Sequence, residues 1–128
     1  MLRGRLKAII AVAFAIMLAA VPLVASQTGQ TRRVRFPKGR NSVVLKGAAV
    51  RGTQDRYILR AGQGQTMTLR ITSTEDNAVF DVVPPGGGQP LASEQMEWTG
   101  ELPTTGDYTI VVGGTRGNAT YSLQVTIR

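Results

Sequence analysis

Nucleophilic and metal chemistry draw on a short list of side chains, and this sequence contains no histidine and no cysteine. Ser/His and Cys/His nucleophilic arrangements are therefore absent, and so are the common zinc sites. Carboxylates remain, seven of the eight in the second half of the chain: Glu75, Asp76, Asp81, Glu94, Glu97, Glu101 and Asp107. A glycosidase needs two of them facing each other across a cleft. Most of these acids instead fall in turn-like segments or alternate onto solvent faces. Glu75, Asp76 and Asn77 together lack the loop spacing of a known calcium site. The expectation is a non-enzyme with no metal and no cofactor. The chemistry left is that of an exposed cation, and Arg116 stands out because a glycine-rich segment would carry it on a projecting tip.

That segment belongs to the stretch Leu102 to Arg128. Tyr108, Ile110 and Val112 alternate with Asp107, Thr109 and Val111; Tyr121, Leu123, Val125 and Ile127 alternate with polar residues. A period of two predicts two half-buried strands. The pattern is read as a hairpin in which Val112 opposes Tyr121 and the tip lies between Arg116 and Gly117. Gly113, Gly114 and Gly117 are expected to supply the positive-φ positions of the reversal. Sliding such a pair by one residue would turn the whole apolar set to water, so the register is strongly specified.

The rest of the chain reads as further short strands. They are Arg32–Phe36, Ser42–Val50, Asp55–Ala61, Thr66–Thr72 and Ala78–Val83, with a short one near Met96–Thr99. Tyr57, Leu59, Met67, Leu69 and Ile71 are expected inward, and Trp98 is expected to plug an end of the core. Gly62–Gln65 reads as a hairpin connection and Pro84–Pro90 as a long reversal. About eight strands at this spacing, with no helical periodicity after the leader, predict a single antiparallel, jelly-roll-like β-sandwich.

The N-terminus has a different character. MLRGRLK and the apolar run Ala8 to Ala25 form the pattern of a secretory signal peptide. The expected organisation is a leader over 1–26, a flexible lead-in over 27–31 and the sandwich over 32–128. Cleavage after Ala25 or Ser26 would leave a periplasmic or secreted protein with no membrane association; an uncleaved anchor is the alternative. Beyond the leader, twelve basic residues face eight acids, a balance of +4. Ten of the twelve lie between Arg32 and Arg70, where Asp55 is the single acid. Such a basic half suits an anionic partner. Nucleic acid is not expected, because no aromatics are interleaved to stack bases.

Two resemblances rest on particular residues. Asp55-x-Tyr57, Gly62-x-Gly64-Gln65, Pro85-x-Gly87, Leu102-Pro103-x-x-Gly106-x-Tyr108 and Tyr121-x-Leu123-x-Val125 resemble the bacterial pre-peptidase C-terminal type of β-sandwich. Val34-x-Phe36-x-Lys38-Gly39-x-x-Ser42, Gly106-x-Tyr108 and Thr115-Arg116-x-x-Ala119 resemble the small exported bacterial inhibitors of g-type (goose-type) lysozyme. The chain has Thr105 where that family has serine, and Thr120 stands near a position where the family tends to be basic. The second resemblance implies a protein partner, g-type lysozyme, and inhibition by occupation of its cleft. It implies binding through Arg116, Thr115, Gly117 and Asn118, and through Thr105, Gly106 and Tyr108. The first implies a generic binding module for polysaccharide or envelope protein. A straight strand would put Tyr108 and Arg116 roughly 26 Å apart; either it is interrupted at Gly113-Gly114 or Tyr108 is structural.

Overall fold

The computed structural model describes residues 29–128. The leader and both candidate cleavage points lie outside the described residues. Nine strands follow in order: β1 (Thr31–Arg33), β2 (Ser42–Ala49), β3 (Gln54–Ala61), β4 (Thr66–Ser73), β5 (Ala78–Val83), β6 (Ala92–Gln95), β7 (Glu97–Glu101), β8 (Gly106–Gly114) and β9 (Ala119–Ile127). They form two sheets, β1-β3-β8-β5-β6 and β2-β9-β4-β7. All pairs are antiparallel except β1 with β3. The expected β-sandwich is therefore the observed fold.

The inward faces follow from the two-residue period. In β8, Tyr108, Ile110 and Val112 are buried; in β9, Tyr121, Leu123, Val125 and Ile127 are buried. Tyr57, Leu59, Met67, Leu69 and Ile71 complete the facing surfaces as expected. Trp98 is half-buried against the core, and its indole lies where a side chain at Gly100 would stand.

The connectivity differs from the expected one. β8 and β9 are not a hairpin: β8 pairs with β3 and β5, and β9 pairs with β2 and β4. The Val112–Tyr121 pairing does not exist. Inward residues of two facing sheets share one core just as well as inward residues of one hairpin, so the same alternation fits both arrangements. Of the three glycines assigned to the reversal, only Gly117 has positive φ, at 74°. Gly113 and Gly114 are extended residues of β8. The Gly62–Gln65 connection is likewise a crossing, joining β3 of one sheet to β4 of the other. Only β5 and β6 are sequential neighbours within a sheet. The expected lead-in is also engaged earlier than drawn: Gln30 N–H donates to Asp55 Oδ1 at 3.1 Å, and Arg56 N–H donates to the Gln30 carbonyl at 2.8 Å.

One polar chain crosses the core. Tyr57 and Tyr121 meet edge-to-face at 6.5 Å between ring centroids, with their hydroxyls 2.6 Å apart. Tyr121 donates to Asp55 Oδ2 at 2.7 Å, which satisfies a carboxylate that is 3% exposed. Burial first, then the bonds to Asp55 and Tyr57, push the Tyr121 phenol far above its usual pKa. Gly47 makes room for this chain, since a Cβ there would lie 2.5 Å from the Tyr121 hydroxyl.

Candidate functional site

β8 is an uninterrupted nine-residue strand, so its two ends stand roughly 26 Å apart. The residues singled out in the sequence divide between them. Thr105, Gly106 and Tyr108 lie at its N-terminal end; Thr115, Arg116, Gly117 and Asn118 lie beyond its C-terminal end. The fold does not bring the two groups into contact.

The N-terminal end is closed. Tyr108 has no exposed surface. Its hydroxyl donates to the Thr104 carbonyl at 2.6 Å and accepts from the Thr104 N–H at 3.3 Å. This is the geometry of a tyrosine that ties a sandwich corner, and it leaves that side chain nothing to offer a partner in this structure. Thr105 Oγ1 accepts from the Gln63 N–H at 2.8 Å, bridging to the β3–β4 connection. Gly106 sits under Pro85, whose Cβ would be 2.8 Å from a side chain there. Nearby, Arg33 and Asp107 form a two-pronged ion pair at 3.2 and 2.8 Å. Its hydrogen bond to Arg33 holds the Asp107 carboxyl below the usual range.

The C-terminal end is open, and it is built from three loops. Asn77, in the β4–β5 loop, is the clip. Its Nδ2 donates to the carbonyls of Arg116 at 3.1 Å and Asn118 at 2.8 Å, and its own carbonyl accepts from the Thr115 N–H at 2.7 Å. Ser73 Oγ in turn accepts from the N–H groups of Asn77 and Ala78. Gly114 is needed because a Cβ there would come within 2.6 Å of the Gly117 carbonyl oxygen. From the β2–β3 loop, the Arg51 N–H donates to Asn118 Oδ1 at 2.6 Å. The Asn118 oxygen is thus already used within the fold. Asn77 Oδ1 is buried without a hydrogen-bond partner.

Arg116 itself is exposed. Its Nη2 reaches the Glu75 carbonyl at 3.4 Å, a long contact that orients the guanidinium without hiding it. The ion pairs among the described residues are Arg33–Asp107 and Arg70–Glu97, so no carboxylate engages Arg116. No group of three or more acidic side chains is placed to hold a metal among the described residues. Asn77 and Arg51 were not legible in the sequence, because each reaches the tip from a distant loop; their weak local signals are an acidic turn, Glu75-Asp76-Asn77, and the turn formers Arg51-Gly52.

No family profile matches the chain, and no curated protein matches it by sequence. Solved structures do. The Aeromonas hydrophila PliG, a periplasmic lysozyme inhibitor of g-type lysozyme, is 33% identical with a TM-score of 0.72, over 80% of this chain and 98% of that one. The Salmonella Typhimurium PliG, described in the same words, is 26% identical with a TM-score of 0.64, over 78% and 99% of the two chains. The pre-peptidase C-terminal domain of a Bacillus anthracis collagenase shares the fold at 14% identity and a TM-score of 0.61, over 76% and 95%. On the strength of the first match, which spans nearly all of that relative, this chain belongs to the PliG family.

Proposed function

We propose that this protein is exported to the periplasm and inhibits a g-type lysozyme, with the Thr115–Asn118 loop entering the active-site cleft. The observation that carries the reading is an exposed Arg116 on a clipped loop, with no carboxylate among the described residues paired to it. Lysozymes cleave glycosidic bonds with acidic groups in a cleft. A guanidinium matches such a carboxylate with two parallel hydrogen bonds and keeps its charge at any physiological pH. The Asn77 clip fixes the backbone beforehand, so little loop ordering opposes binding.

Thr115 and Gly117 flank the arginine. Gly117 adopts a left-handed conformation with open space around it, which suits close approach to a groove wall. The alternative of a glycan-binding module finds no row of exposed aromatics among the described residues: Trp98 is half-buried and folded over Gly100. Lysis of a bacterial cell-wall suspension by c-, i- and g-type lysozymes, each titrated with the mature protein, tests the proposal. Stoichiometric arrest of the g-type enzyme is expected. Unchanged lysis by the g-type enzyme would remove the reading.

A further inference from the structure

The loop that carries Arg116 does not stand alone at its end of the sandwich. We infer that Arg51, at the tip of the β2–β3 loop, is a second binding cation, and that the surface fits a partner presenting two separate carboxylates. The inference rests on the inhibitory reading above and deepens it.

Val50, Arg51, Gly52 and Thr53 form a tight turn. The Thr53 N–H and Oγ1 both donate to the Val50 carbonyl, at 2.9 and 2.7 Å. Gly52 takes the positive φ, 80°, that this reversal requires. The turn is therefore rigid without help from the Arg51 side chain. β2 then brings it beside the Arg116 loop, because Ala49 pairs with Ala119 at the start of β9. The Arg51 N–H bond to Asn118 Oδ1 locks the two tips together. Asn118 is thus a positioning residue that joins two arginine-bearing turns.

The side chain of Arg51 takes part in no hydrogen bond or ion pair among the described residues. It is exposed, and beside it Val50 is 61% exposed. A valine held in water next to an unengaged guanidinium costs the free protein apolar hydration and returns nothing to the fold. An apolar contact beside a charge-assisted hydrogen bond is the usual composition of a binding anchor. With Arg116 directed at a carboxylate in the cleft, Arg51 on the adjacent tip meets a second carboxylate on the wall of the same cleft.

The test compares the unaltered mature protein with Arg51→Ala, Arg116→Ala and Arg40→Ala, by calorimetric titration against a g-type lysozyme at two salt concentrations. Arg40 is exposed in the β1–β2 loop at the other end of the sandwich, so its loss controls for net charge. Because the Arg51 bond to Asn118 is made by the main chain, Arg51→Ala should melt within about 2 °C of the unaltered protein. Arg51→Ala is expected to raise Kd by about tenfold or more and to flatten its salt dependence, while Arg40→Ala stays within about twofold. Loss of affinity in Arg116→Ala with Arg51→Ala unchanged would overturn this inference and leave the inhibitory reading standing. Equal weakening by Arg40→Ala would also overturn it, as a net-charge effect. Failure of the unaltered protein to bind would overturn both together.

Discussion

The two ends of β8 carry sequence motifs of equal prominence and opposite fate. At one, Tyr108 turns inward and spends its hydroxyl on Thr104, and Thr105 and Gly106 serve the neighbouring loops. At the other, main-chain groups of Thr115, Arg116 and Asn118 are held by Asn77 while the Arg116 side chain faces solvent. The lesson is about which atoms a motif residue commits to the fold. A side chain whose polar atom is already paired has little left for a partner. A residue held mainly through its main chain, as Arg116 is apart from one long contact to the Glu75 carbonyl, keeps most of its side-chain chemistry available.

The sharpest way to break this contrast is at the closed end. Tyr108→Ala removes a fully buried ring and the corner bond, and should lower folding stability by about 3–5 kcal/mol in denaturant titration. A loss of lysozyme affinity in Tyr108→Phe, which keeps the ring, without a matching loss of stability would contradict the assignment of this end to structure. The clip should give an intermediate effect. Asn77→Ala leaves the Arg116 and Asn118 carbonyls without their donor, and a cost of roughly 2 kcal/mol is expected. Because Asn77 Oδ1 is already unpaired, the loss comes from the donor side. Affinity should fall with it, since the loop would have to order on binding.

A smaller effect separates the core from both ends. The Tyr121 phenol keeps its proton in the folded state, where its pKa is raised, while in the unfolded chain it ionises near pH 10. Its contribution is fully present below about pH 10, and above that unfolding releases a proton, so stability falls as pH rises. Tyr121→Phe should show a shallower decline above about pH 10 than the unaltered protein, although it is less stable at neutral pH. An identical decline would mean that this phenol is not held protonated. Smallest is the exposed Arg33–Asp107 pair. Asp107 has a lowered folded-state pKa. Its contribution is present above the unfolded carboxylate value of about 3.9 and disappears as pH falls through the folded one. Asp107→Asn should remove that part of the acid slope and leave inhibition unchanged.

Much of the fold was legible because strand alternation is local. Tyr57 and Leu59, then Met67, Leu69 and Ile71, then Tyr108, Ile110 and Val112, and Tyr121, Leu123, Val125 and Ile127 all point inward where the period of two put them. Pairing was not legible, because it is decided by contacts far apart in sequence. Gly113 and Gly114 looked like a hairpin reversal, yet Gly113 pairs with both Gln54 and Val79 inside a sheet. β6 escaped notice because Ser93, Glu94 and Gln95 are all exposed and show no apolar alternation. At the candidate site, the local tip Thr115–Asn118 could be seen in the sequence. Its supports could not, since Asn77 and Arg51 lie 41 and 67 residues from Asn118.

In the proposed inhibition the Arg116 guanidinium, presented by a loop the fold holds still, is the main anchor on lysozyme, with Arg51 beside it. Titration of a g-type lysozyme with the unaltered protein and with Arg116→Ala tests it most directly. The variant should melt like the unaltered protein but bind about thirtyfold more weakly or worse, a loss of roughly 2 kcal/mol or more. Equal inhibition by the two proteins would show that Arg116 is not the anchor.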